Sequence, residues 1–103
     1  MKFPEECNKY EKIVVTRHKQ LIDYLKAKAM IDENIQVFSH VTIKDIKGKH
    51  VIGILPFHLA CHAAFFTEVP LRIPYDKKNE ELSVDEISFY MQEPKTYTIR
   101  EIK

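Results

Sequence analysis

Lys12-Ile13-Val14-Val15-Thr16-Arg17-His18 decides the fold class. Its apolar part, Ile13 to Val15, is three β-branched residues in a row, the composition of a strand covered on both faces of a parallel sheet. A hydroxyl, a guanidinium and an imidazole follow at once. After them Leu21, Ile22, Leu25 and Ala29 recur with helical spacing. The stretch therefore reads as a buried strand ending where a helix begins, with polar groups at the junction. In an open α/β sheet, ligands bind at that place, outside the carboxyl end of a strand and against a helix amino terminus. A second junction of the same kind is Val51-Ile52-Gly53-Ile54-Leu55-Pro56-Phe57-His58-Leu59-Ala60. Each corner carries a histidine, His18 in one and His58 in the other.

Working outward from these corners, residues 1–10 are polar, are broken by Pro4, and read as a loosely attached N-terminal extension. Glu11 to Thr16 is the first strand and Arg17 to Ala29 the first helix, with Leu21, Ile22 and Leu25 facing inward. Asp32-Glu33-Asn34 is a turn, and Ile35 to Val41 a second strand. Lys44 to Lys49 is a charged surface loop. His50 to Leu55 is a short, central third strand. Pro56 opens a second helix over Phe57 to Phe66, which is nearly free of charge. Val69 to Ile73 is a fourth strand, with Pro70 pointing to an edge, and Pro74 to Glu81 is a polar loop. Ser83-Val84-Asp85-Glu86 is a capping box opening a third helix to about Met91. Lys95 to Ile102 is a last strand, with one face open to solvent. The order β-α-β-β-α-β-α-β predicts an α/β fold, a small Rossmann-like sandwich with a mostly parallel sheet, as a single domain over residues 1–103. With two glycines in the chain there is no phosphate loop and no dinucleotide fingerprint.

Composition narrows the partners. Sixteen basic residues against fifteen acidic ones give a formal charge of +1, too little for a broad duplex-binding surface. A small anion held by a few focused groups remains open. Cys7 and Cys61 stand in unrelated contexts, which points to a reducing cytosol and a cytoplasmic protein. The N-terminal residues include Glu5 and Glu6 and lack the apolar core of a signal peptide. No apolar run approaches the roughly 18 residues of a membrane span. A chain of 103 residues buries a modest share of its surface. Together with the charge-poor second helix, this predicts a homodimer.

At the first corner Arg17 offers a planar fork of donors for a phosphate, Thr16 a hydroxyl, and His18 a proton donor or acceptor near neutral pH. The helix amides behind them add partial positive charge. The plainer alternative is that Arg17 and His18 are first-turn residues in water. At the second corner His58 is either a structural histidine in apolar surroundings or a member of the site. His62 lies on the same helical face, but a His-x-x-x-His pair without a third ligand does not complete a metal site. Cys61 reads as a small buried hydrophobe. With the first and third strands adjacent, both corners open on one edge of the sheet, and Thr16, Arg17, His18 and His58 are expected to converge there.

The pairing of Val14-Val15-Thr16-Arg17-His18 with Ile52-Gly53-Ile54-Leu55-Pro56-Phe57-His58-Leu59-Ala60 resembles a small family of CRISPR-associated proteins found with type III systems. Members of that family look like ring nucleases, which degrade the cyclic oligoadenylate second messenger. The resemblance runs from Ile13 through the Leu82 to Glu86 segment, with departures in residues 1–10 and in the Asp76 to Glu81 loop. It implies a CARF-like fold and a site lined by Thr16, Arg17, His18, Leu55, Pro56, Phe57 and His58, with Thr16, Arg17, His18 and His58 as the catalytic candidates. It implies cyclic oligoadenylate, in particular cyclic tetra-adenylate, as the partner, cleaved without metal or cofactor. The attacking group is then the substrate's own ribose 2′-hydroxyl, and the product a linear oligoadenylate with a 2′,3′-cyclic phosphate, which switches off type III signalling. The alternative is a non-catalytic module that senses or sequesters the ring.

Overall fold

The computed structural model describes residues 3–77 and 80–103. Met1 and Lys2 of the expected N-terminal extension, and Lys78 and Asn79 of the expected polar loop, lie outside the described residues. After a 3-10 turn at Glu5–Lys9, the chain forms β1 (Lys12–Val15), α1 (Lys19–Ala27), β2 (Gln36–Phe38), α2 (Ile43–Ile46), β3 (His50–Gly53), α3 (Phe57–Ala60), β4 (Phe65–Glu68), α4 (Val84–Tyr90) and β5 (Lys95–Tyr97), with a second 3-10 turn at Tyr75–Lys77 before α4. The sheet order is β2-β1-β3-β4-β5; every pairing is parallel except that of β4 with β5. This is the expected α/β fold, a small Rossmann-like sandwich with a mostly parallel sheet.

Period-2 alternation splits the buried strand residues between two layers. Val14 of β1 and Ile52 of β3 face one side, where Leu21 and Leu25 of α1 and Ile87 of α4 cover them. Ile13, Val15 and Val51 face the other, against Ile46 of α2, Leu55, Ala60 of α3 and Phe66 of β4. Ile13, Val14 and Val15 are all buried, as the β-branched run implied. The box at Ser83 is formed: its Oγ accepts from the Glu86 amide at 3.1 Å, and Glu86 Oε1 accepts from the Ser83 amide at 3.2 Å.

Several boundaries differ from the sequence reading. The second helix stops at Ala60 rather than Phe66, because Phe65 to Glu68 pairs with β3 as β4. Phe66 is buried against the α3 side, and Thr67 is fully buried. The fourth strand thus precedes Val69. Val69 adds one more ladder bond, to the Gly53 carbonyl at 2.9 Å, before Pro70, which has no N–H to donate. The supposed loop after Lys44 holds α2, begun by Thr42. Asp45 Oδ2 accepts from the Thr42 amide at 2.7 Å and from its hydroxyl at 3.1 Å. The N-terminal extension is not loose, since Cys7 is completely buried and Phe3 packs edge-on to His50 with ring centroids 5.0 Å apart.

Candidate functional site

The switch in strand order creates the site. From β1 the chain turns into α1 on one face of the sheet, and from β3 it turns into α3 on the other. Connections that diverge from neighbouring parallel strands leave a crevice at their carboxyl ends. A cavity of about 330 Å³ occupies it. Three corners line it: Val15 to His18 after β1, Ser39 to Val41 after β2, and Ile54 to Pro56 with Leu59 after β3.

Local backbone chemistry fixes the first corner. The Thr16 amide continues the β1–β2 ladder to the Phe38 carbonyl at 3.0 Å. The buried Thr16 hydroxyl accepts from the His18 amide at 3.1 Å, a short side-chain turn that sets the exit direction of Arg17 and His18. His18 is the cap residue of α1, and no side chain caps that helix end. Its first amides and the partial positive charge of a nine-residue helix are therefore available to an anion beside His18.

On the opposite side, Gly53 ends β3 with φ +140°, and any Cβ there would collide with the Val15 carbonyl. That close approach lets the Ile54 amide donate to Val15 O at 3.2 Å and brings the apolar wall against the first corner.

Thr16, Arg17, His18, Leu55 and Pro56 come together in this cavity. Phe57 and His58 do not. With Cys61, Ile99, Arg100 and Glu101 they line a separate hollow of about 350 Å³. The expected convergence of His58 fails because the first turn of α3 turns Leu59 to the cavity and Phe57 and His58 to the separate hollow. His40 takes the place that His58 was expected to fill. Arg17 Nη2 donates to His40 Nδ1 at 3.4 Å. The signal for it was present, since Val37-Phe38-Ser39-His40 repeats the apolar-to-hydroxyl-to-imidazole change of β1. Extending the strand to Val41 concealed it.

Among the described residues, Arg17, His18 and His40 are the ionisable side chains lining the cavity, and no carboxylate lines it. A larger hollow of about 1160 Å³ at the opposite ends of β1 and β2 presents Glu5, Glu11, Asp32 and Glu33 with Lys12, the wrong balance for an anion. Among the described residues, no group of three or more His, Cys, Asp or Glu is placed to hold a metal ion. Among the same residues, no helix is long and apolar enough to cross a membrane.

The model of the family described as "Putative CRISPR-associated protein (Cas_VVA1548)" matches residues 13–100. The chain belongs to this family. The match begins at the first residue of the buried β1 run and takes in all three corners of the cavity. No curated protein and no solved structure matches the chain. The membership makes this a protein of a CRISPR-associated family.

Proposed function

We propose that this chain is a ring nuclease that opens cyclic oligoadenylate, cyclic tetra-adenylate in particular, at the crevice between β1 and β3. One observation carries the reading. The cavity joins the Arg17 fork and the imidazole of His18, the uncapped start of α1, to an apolar wall, with no carboxylate among its described lining residues to repel a phosphodiester. The polar side suits the phosphate, and the wall formed by Val41, Ile54, Leu55, Pro56 and Leu59 suits an adenine face. At about 330 Å³ the cavity is small among ligand pockets, a size for one nucleotide unit with the rest of the ring outside.

Cleavage then follows from positioning and charge stabilisation. The ribose 2′-oxygen attacks the adjacent phosphorus in line, and the bond to the 5′-oxygen breaks. A 2′,3′-cyclic phosphate and a 5′-hydroxyl remain. Arg17 and the α1 amides bear the charge that builds on the phosphoryl oxygens, while Thr16 holds the corner that aims them. His18 exchanges a proton with a reacting oxygen. CRISPR-associated membership supports an oligoadenylate signal as the substrate, and cutting it would silence that signal.

The test is to incubate the purified protein with cyclic tetra-adenylate in excess chelator. Linear product appearing with the wild type and falling sharply with Arg17→Ala supports the nuclease. An intact ring retained by the protein supports a sensor or sponge instead. An intact ring left unbound removes the reading.

A further inference from the structure

We propose that His40 is a second catalytic imidazole, the general base that takes the proton from the attacking 2′-hydroxyl, with His18 as the acid that protonates the leaving 5′-oxygen; this rests on the ring-cleaving reading above. The cavity supplies few groups for the task. Arginine stays protonated in proteins, and the Thr16 hydroxyl is engaged with the His18 amide. Ser39 adds a second hydroxyl, but a hydroxyl is a poor base near neutral pH, so proton transfer at this site falls to the two imidazoles that line it.

The hydrogen bond between Arg17 and His40 assigns their roles. A guanidinium only donates, so His40 Nδ1 accepts and carries a lone pair, the form a base requires. At 3.4 Å the bond is long, beyond the usual range for a strong N–H donor. A phosphate entering the cavity draws the Arg17 fork away at little cost. The His40 lone pair is then free beside the phosphate that Arg17 holds, where the adjoining ribose lies. His40 leaves the edge strand β2 and is exposed, so a ribose has room to reach it.

The step balances. His40 Nδ1 takes the 2′-hydroxyl proton as the 2′-oxygen bonds to phosphorus. The electron pair of the broken P–O5′ bond goes to the 5′-oxygen, which takes a proton from the His18 imidazolium. No further reactant is needed, and the imidazoles exchange protons with solvent before the next turnover. Among the described residues, the ionisable groups that share the cavity with His40 are Arg17 and His18; the wall after β3 contributes none.

The experiment measures cyclic tetra-adenylate affinity and single-turnover cleavage from pH 5 to 9 for the wild type, His40→Ala, His40→Gln and His18→Ala. His40→Ala should bind the ring within a few-fold of wild type and cleave it about 10²–10⁴-fold more slowly. Its rate should lose the acidic limb of a bell-shaped profile, that of His18→Ala the alkaline limb, and added imidazole should partly restore His40→Ala. A wild-type rate with both limbs intact in His40→Ala and His40→Gln overturns the assignment while leaving the nuclease standing. A loss of affinity equal to the loss of rate overturns it too, making His40 a binding residue. A wild type that leaves the ring intact refutes the underlying reading instead.

Discussion

On the proposed ring cleavage, affinity and rate meet at Arg17. Among the described residues it is the only arginine lining the cavity, and a guanidinium holding a phosphate there would tighten its hold as charge grows on the phosphoryl oxygens. A charge-assisted hydrogen bond contributes roughly 1.5–3 kcal/mol, so Arg17→Ala should lower ring affinity and single-turnover rate together by about ten- to a hundred-fold. His18→Ala should keep the ring and slow its cleavage. His58→Ala should leave both near wild type, because His58 opens on the other hollow beside Arg100 and Glu101. Binding titrations and quenched-flow cleavage of the three variants check this ordering. Gly53→Ala acts differently. Its methyl would force β3 away from the Val15 carbonyl in a backbone region that side chains rarely adopt. Strain and overpacking together should cost roughly 2–4 kcal/mol of stability, read by urea unfolding, and displace the Thr16 corner. Thr16, Arg17 and His18 could be picked out from their place after a β-branched run. His40 carried the same apolar-to-imidazole signal, but reading it depends on where β2 ends, and three residues of strand leave little pattern to fix that end.

Among the elements, the helical and strand readings succeeded where periodicity and caps agreed and failed where an apolar run served either. Leu21 and Leu25, one turn apart, and the Ser83 box placed α1 and α4. Residues 57–66 are apolar enough for a buried helix or a buried strand, and only pairing with β3 decides that Phe65 to Glu68 is a strand. The Thr42-x-x-Asp45 signal of α2 was legible but was masked by the surrounding charge. One polar seam crosses β3, β4 and β5 at the sheet's buried face. His50 Nε2 and Thr67 Oγ1 lie 2.7 Å apart, and Thr67 Oγ1 and Thr96 Oγ1 2.8 Å apart. His50 Nδ1 has no partner among the described residues, so the imidazole is best accommodated neutral, with Nε2–H donating to Thr67. Burial, and secondarily the Lys12 ammonium, pull its pKa from 6.5 down to about 4. Between those values the unfolded chain takes up a proton that the folded chain refuses. The stabilisation is complete above about pH 6.5 and is lost as pH falls toward 4, by on the order of 3 kcal/mol. Urea unfolding at stepped pH should show this limb in the wild type and a flatter one in His50→Leu.

For the molecule as a whole, a mostly parallel sheet was foreseeable from the alternation of elements, but the order β2-β1-β3, which fixes the crevice at the β1/β3 switch, was not, because the crossover helix α2 read as a charged loop. The case for a dimer changes its footing. The expected long apolar helix does not exist, but Ile54, on the crevice wall, is 46% exposed, and Phe57, on the separate hollow, 72%. A cyclic tetra-adenylate can adopt twofold symmetry, so an isologous dimer packed on these residues would offer it two equivalent sites. Sedimentation with ligand at micromolar protein should give a dimer, and Phe57→Glu should shift it toward monomer. A monomeric wild type contradicts that assembly without touching the chemistry of one crevice. The chemistry itself is tested most directly by cutting cyclic tetra-adenylate in ¹⁸O-labelled water under chelator and weighing the first linear product. Attack by the ribose 2′-hydroxyl uses no water, so the account predicts a 2′,3′-cyclic phosphate end without ¹⁸O. A phosphate monoester that carries ¹⁸O from the first turnover would contradict it.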